Sequence, residues 1–493
     1  MISLKLNTYL LGLLSVFFLL NSYIWAIVSP IGSGIDDDFH LPSVWCAFGD
    51  KSQICETVIE GDGFVRVPTA LVEIPQCLSY QDYKSASCVD EIINNENSMS
   101  IGRSNELGRF PNIFYEVHHY LITDDIEESI ILMRILNAVV FLSCLIFGFY
   151  ILTYSYRWNY LLVSLLLASP FTLSIVVSNN PSSWLISSMS LLYAILFSIT
   201  EPKSNTRLQK SYQLFGLLIC FLLAISSRSE GSLFVSAILL TFLVIFFTRI
   251  YPFAKIFIIT LILLGFYLTF KQPSTLGFST GLSSTGPPSD PINWFFSVIS
   301  NFPRFFYGVF GSWGYGWLDF EIPTITYFFY IVFFVGLFIV NLSIIQIRLL
   351  LFSLMNFVLI STIVLRVMYL SSNLVGVNIQ PRYILPFLFP VVGSLLVFIV
   401  NFVKINLNYL ISFIVLVSIA YGFSLHYWIQ HFTAGSDNFS INLSSNFEWW
   451  WNTFLLPTPI WIFSTLLFTM TLFLSLIGSA LDKKPYLAKH EKV

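Results

Sequence analysis

Apolar stretches of about 20 residues recur along the chain, separated by short polar punctuation and by three longer polar segments. In order, they fall near 8–30, 130–153, 159–177, 183–200, 212–226, 232–248, 256–270, 324–345, 349–369, 384–402, 408–425 and 459–480. Such runs, poor in charge, match the length a helix needs to cross a bilayer. A transmembrane β-barrel would instead show short alternating segments. The pattern predicts an all-α polytopic membrane protein of about twelve transmembrane helices. The first run lacks a small-x-small cleavage site and reads as a retained span, not a removed signal peptide.

The organisation follows. Residues 1–30 form the first helix and 31–130 a polar loop; 131–270 form a bundle. Residues 271–323 form a second polar loop, 324–425 a second bundle, 426–458 a third loop, and 459–493 the last helix and a tail. Gly61-Asp62-Gly63 and Asn94-Asn95-Glu96-Asn97 are turn chemistry, and Asn179-Asn180-Pro181 marks a tight turn between spans. Thr123-Asp124-Asp125-Ile126-Glu127-Glu128 reads as a helix start with acids in its first turn. The 273–291 stretch is Gly, Ser, Thr and Pro rich, and the aromatic piece from Asn293 to Trp313 reads as an interfacial or re-entrant helix.

Composition sharpens this picture. The 493 residues are 56% hydrophobic, 17% aromatic and only 10% charged, with mean hydropathy +0.77; soluble domains carry about 25% charged residues. The net charge of −3 hides an asymmetry. Residues 36–130 hold 18 of the 27 acidic residues and 5 of the 24 basic ones, leaving 9 and 19 elsewhere. No basic nucleic-acid footprint exists.

Orientation follows from the basic residues near span ends. Lys5, Arg157, Lys203, Arg207, Lys210, Arg249, Lys255, Arg348, Lys404, Lys483 and Lys484 all fall on one side if the N-terminus is inside. Both termini are then cytoplasmic, and the three long loops form an extracytoplasmic cap. Cys46, Cys55, Cys77 and Cys88 lie in the first loop, which suggests two disulfides on an oxidising face. Sequential pairing is the expectation among three connectivities.

Three constellations carry candidate chemistry. Asp36, Asp37, Asp38 and His40 directly follow the first span. A carboxylate there can act as general base on a hydroxyl, or cap a helix start facing water. Adjacent carboxylates can also hold a divalent ion such as Mg or Mn; no metal ligand set and no cofactor is assigned. Outward-facing arginines, Arg228, Arg304, Arg366 and Arg382, suit phosphate recognition or headgroup snorkelling. Arg382 and Tyr383 stand at the start of a late span, where a helix N-terminus favours anions. In Gly314-Tyr315-Gly316-Trp317-Leu318-Asp319-Phe320, Asp319 can pair with an arginine, touch a sugar hydroxyl or simply cap an interfacial loop. His118, His119, His426 and His431 lack a matching ligand set.

These patches resemble those of the bacterial membrane proteins grouped as domain of unknown function 2142. An acid pair followed by histidine resembles Asp36 to His40. Pro-x-x-aromatic-Tyr resembles Pro111 to Tyr115, Gly-Trp-Leu-Asp resembles Gly316 to Asp319, and Gln-Gly-Arg-Tyr resembles Gln380 to Tyr383. Ile35 stands where the family has Pro, Asp37 where it has Glu, and Pro381 where it has Gly. The family is similar in layout to the GT-C glycosyltransferases, which use polyprenyl-phosphate-linked sugars and carry an acidic motif in the first outer loop.

The resemblance implies a GT-C-like membrane glycosyltransferase. The donor would be a polyprenyl-phosphate-linked sugar and the acceptor an envelope glycan or lipid. Asp36 or Asp37 would be the base; His40, Arg228, Asp319, Arg382 and Tyr383 would bind substrate. Rival readings are a transporter or flippase of lipid-linked glycans, and a non-catalytic envelope-assembly protein. Transport usually places ionisable residues mid-span, and nearly all of them here lie at span ends or in loops.

Overall fold

A computed structural model describes residues 2–490 except 51–53, 60–61, 82, 94–97, 202–205, 272–286, 342–344, 371, 376–378, 403–406, 438 and 453. Lys203, Lys404, Gly61, the Asn94 to Asn97 turn, Asn378 and most of the 273–291 stretch therefore lie outside the described residues.

Helix α1 spans Ile2–Ile27 and is followed by a cap region of short elements. These are α2 (Asp37–Trp45), β1 (Glu56–Thr57), β2 (Phe64–Pro68), α3 (Ala70–Leu78), α4 (Cys88–Ile93), β3 (Met99–Arg103) and α5 (Asn112–His119). The three strands form one antiparallel sheet in the order β1-β2-β3. It is a small departure from the all-α expectation. Val65 and Val67 point into the cap core while Phe64 and Arg66 point out, a two-residue alternation at odds with helix periodicity. Cys46 pairs with Cys55 and Cys77 with Cys88, with Cα separations of 5.3 and 6.8 Å. The sequential pairing is the one adopted. Cys144 and Cys220 are buried and free.

The bundle continues with α6 (Ile126–Ile151), α7 (Arg157–Leu167), α8 (Pro170–Val176), α9 (Ser182–Thr200), α10 (Arg207–Ser227), α11 (Gly231–Phe246) and α12 (Pro252–Lys271). Asp125 caps α6, its carboxylate accepting the Glu128 N–H at 3.0 Å. After α13 (Pro291–Tyr307) come α14 (Thr324–Asn341), α15 (Ile347–Leu370), α16 (Ser394–Phe402), α17 (Leu407–Ala434) and α18 (Pro457–His490). Among the described residues nine helices are long and apolar enough to cross a membrane, or ten if α7 and α8 count as one broken span.

Two of the expected spans are interrupted for local reasons. Helices α7 and α8 meet at 89°, where Ser169-Pro170 breaks the run; Ser169 accepts the Thr172 N–H and starts a new helix. The segment ahead of α16 begins as tight and wide turns because Pro381, Pro386 and Pro390 remove backbone donors in succession. Leu385–Asn401 remains there as a shorter apolar helix, and the described part of α14 contributes the apolar stretch Thr324–Gly336. The aromatic Asn293–Trp313 piece folds as α13. Its exposed Ile292, Phe295, Phe296 and Ile299 recur at helical spacing, and the helix runs through Pro303.

The three polar regions meet at one end of the bundle. Ala86 donates its N–H to the Phe432 carbonyl at 2.8 Å, and Ser85 bonds to the Glu448 carboxylate. Tyr80 donates its N–H to Asp319 at 2.8 Å. Trp317 Nε1 reaches back to the Gly32 carbonyl at 3.0 Å. Gly32 has φ 72°, and a Cβ there would lie 2.7 Å from the Pro75 ring, so glycine alone fits this turn.

Candidate active site

The segment leaving α1 is built by neighbours from far along the chain. Arg134 of α6 donates to the carbonyls of Ala26, Ser29 and Pro30 at 2.9, 2.5 and 2.9 Å. It thus satisfies carbonyls that α1 leaves open at its C-terminus. Trp428 Nε1 donates to Ser29 Oγ at 3.0 Å, and Asn180 Nδ2 to the Ile35 carbonyl at 3.2 Å. The chain then turns sharply at Asp36, whose φ of 62° and ψ of 20° are left-handed. Aspartate is among the few residues with a side chain that tolerate this region.

The acid triplet fans out. Asp36 Oδ2 accepts from Arg382 Nη2 at 2.6 Å. Asp37 is fully buried, accepts the Gly34 N–H at 3.0 Å and lies 3.9 Å from Arg134 Nη2. Asp38 accepts from Arg103 Nε and Nη2 at 3.1 and 2.5 Å. Each carboxylate is turned to its own guanidinium. Among the described residues no group of three or more His, Cys, Asp or Glu is arranged to hold a metal.

The three acids differ in proton affinity for stated reasons. Burial alone would raise the Asp36 carboxyl, but the Arg382 guanidinium and its hydrogen bond hold it at about 2. Burial pushes Asp37 up to about 6, against the pull of Arg134 and the Gly34 N–H. Burial also raises Asp38, against Arg103. For Asp37 the native group binds its proton more tightly than the unfolded one, near 3.9. Its contribution to stability is therefore full below about pH 4 and is lost as pH rises through about 6. Difference infrared spectra should show a protonated-carboxyl stretch that disappears near pH 6 and is missing in Asp37→Asn; a midpoint near 4 would contradict the buried environment.

His40 is enclosed, with Nδ1 hydrogen-bonded to the Tyr115 hydroxyl at 2.9 Å and its ring among Phe39, Phe110 and Tyr115. Burial holds it neutral, down at about 3. It braces the first turn of α2 and faces aromatic rings. Asp37 likewise sits in the interior, fully buried beside Arg134. Asp319 is turned to the cap, holding the Tyr80 N–H. Its motif makes a turn at Gly314 and Gly316, with φ of 101° and 60°.

Arg382, Tyr383 and Arg228 come together. Both guanidiniums lie over the Tyr383 ring, at 5.2 Å for Arg382 and 4.8 Å for Arg228. Arg228 also donates to Ser182 Oγ at 3.0 Å and Glu230 at 3.3 Å. Arg382 is only 3% exposed, and its Nε and Nη1 have no hydrogen-bond partner among the described residues. An unmet buried donor costs about 1–3 kcal/mol. Arg382 lines a small recess with Gly34, Ser174, Ser178, Asn180 and Trp428. Arg228 and Tyr383 line a narrow apolar groove with Phe234 of α11 and Ile360, Val364 and Val367 of α15. Arg304 and Arg366 are exposed on α13 and α15. A third, polar cleft of about 600 Å³ lies in the cap beside Tyr115, Asn112 and Glu106.

Sequence reasoning missed Arg134, Asn180 and Ser182. Arg134 carried a usable signal, an arginine inside an apolar run; Asn180 and Ser182 looked like ordinary turn residues.

A family model described as predicted membrane protein (DUF2142) matches residues 18–392. No curated protein matches the chain. Among solved structures, the crystal structure of ArnT from Cupriavidus metallidurans in the apo state is 12% identical, with TM-score 0.39, covering 76% of this chain and 68% of that one. ArnT from Cupriavidus metallidurans bound to undecaprenyl phosphate is 11% identical, with TM-score 0.46, covering 95% and 76%.

Proposed function

The chain belongs to the DUF2142 family of predicted membrane proteins, and from the geometry of its site we propose that it moves a sugar from a polyprenyl-phosphate donor to an envelope glycan or lipid acceptor, on the outer face of the cell membrane. The observation that carries this reading is the pairing of Asp36 with a buried arginine that keeps two donors open at a recess. The apolar groove headed by Arg228 suits an isoprenoid chain. Across Tyr383, the donor phosphate takes the open nitrogens of Arg382, with charge-assisted bonds that strengthen as the leaving group gains charge. The sugar extends from that phosphate toward Asp36.

Asp36 Oδ2 accepts the proton of the acceptor hydroxyl, whose oxygen attacks the anomeric carbon. The bond from that carbon to the phosphate oxygen breaks, and its electron pair stays on the phosphate against Arg382. A phosphate is already a good leaving group, so one base and a cationic clamp suffice. Asp37, Asp38 and His40 hold the base in place.

A lipidomic comparison of membranes with and without the protein tests the reading. Loss of the protein, or Arg382→Ala, should leave a polyprenyl-phosphate sugar unspent and its glycosylated product absent. Identical polyprenyl-linked pools in all three membranes would reject it.

A further inference from the structure

We propose that Asp36 plugs an anion subsite on Arg382, and that the donor phosphate displaces it, so the base becomes available only after the donor is bound. The inference rests on the transfer reading above. Its starting point is how incompletely the pair is made. Asp36 offers one oxygen to one nitrogen of Arg382, while Nε and Nη1 have no partner among the described residues in a buried guanidinium. A phosphate, with more acceptor oxygens, satisfies donors that this carboxylate leaves open.

Asp36 is also free to leave. Its side chain is 42% open and makes no capping bond to α2. Arg382 is the one hydrogen-bond partner of its carboxylate among the described residues. The neighbouring pair behaves differently. Asp37 and Arg134 are 1% and 3% exposed, and Arg134 is further fixed by three carbonyls. Asp38 is held by two nitrogens of Arg103, and Arg228 by Glu230 and Ser182. Of these contacts, the one between Asp36 and Arg382 is built to exchange.

Exchange has a chemical result. A carboxylate held by a guanidinium is a feeble proton acceptor. Once phosphate neutralises Arg382, Asp36 loses its partner and regains basicity beside the sugar. The acceptor proton then passes to Asp36, and the departing phosphate stays on Arg382 with the bonding electron pair. Donor binding therefore precedes productive acceptor binding.

The test is equilibrium binding of a polyprenyl phosphate to the full-length protein in nanodiscs, comparing wild type, Asp36→Asn and Asp38→Asn. Asparagine also tolerates the left-handed backbone, so Asp36→Asn keeps the turn. Removing the plug should tighten binding by about tenfold or more, the scale of one charged hydrogen bond, while Asp38→Asn changes it by less than about twofold. Equal affinity for wild type and Asp36→Asn, or weaker binding by the variant, overturns the plug and leaves the donor reading standing. Equal tightening by Asp38→Asn also overturns it, because a general field effect then accounts for the change. If neither wild type nor Asp36→Asn binds, the donor reading fails and the plug with it.

Discussion

Asp36→Asn will slow sugar transfer by about 10²–10⁴-fold, the usual worth of a positioned general base, with folded protein in the membrane unchanged. The side chain is isosteric and the left-handed turn at φ 62° is kept. The measurement is the single-turnover rate in reconstituted vesicles, beside thermal stability of the same preparation. The fate of Asp37→Asn sharpens the result. Asp37 is enclosed with Arg134 and the Gly34 N–H, so its loss should register first in stability. Full transfer by Asp36→Asn would end the base assignment, whatever Asp37→Asn does.

Arg134→Ala will be the most damaging single change for folding. It strands the carbonyls of Ala26, Ser29 and Pro30 and leaves the buried Asp37 carboxylate without its cation. Breaking a buried charge pair from one side costs about 3–5 kcal/mol, a large share of a typical stability margin. Yield of monodisperse protein after extraction, and its melting temperature, should both drop sharply. Arg134→Lys should recover only part, since one ammonium cannot reproduce a planar fork that reaches three carbonyls. A wild-type melting temperature for Arg134→Ala would show that the α1 terminus is held by other means.

Much of this was legible in the residues, and the rest was hidden for physical reasons. Long uncharged runs announce helices because hydrocarbon admits little else, so the membrane class and most spans could be read directly. Two spans, 159–177 and 384–402, are broken where Ser-Pro or successive prolines lie inside them and hydropathy stays high while the backbone ladder fails. The acid triplet and Arg382 were both visible as patches. Which acid met which arginine was not, because three consecutive residues on one turn point in three directions, and their partners come from α6, β3 and the segment before α16. Hydropathy marks Arg134 only as an odd residue in an apolar run. His40 read as a substrate-binding residue in sequence, and the ring cluster that encloses it is assembled from Phe39, Phe110 and Tyr115 across about 75 residues.

The reach of these contacts bears on how the protein is made. Asn21 in α1 is satisfied by Tyr421 and Ser464, 400 and 443 residues later, and Trp25 by Tyr421 at 2.7 Å. During synthesis the first helix enters the bilayer with an amide that has no mate until α17 and α18 emerge. A polar side chain waiting in lipid is costly, so the young chain must be sheltered by the insertion machinery or by water until then. Chains stopped before residue 421 should accordingly be cleared by quality-control proteases instead of accumulating as stable half-bundles. The Asp36 turn, closed by Arg382 across 346 residues, is thus among the last places to become whole.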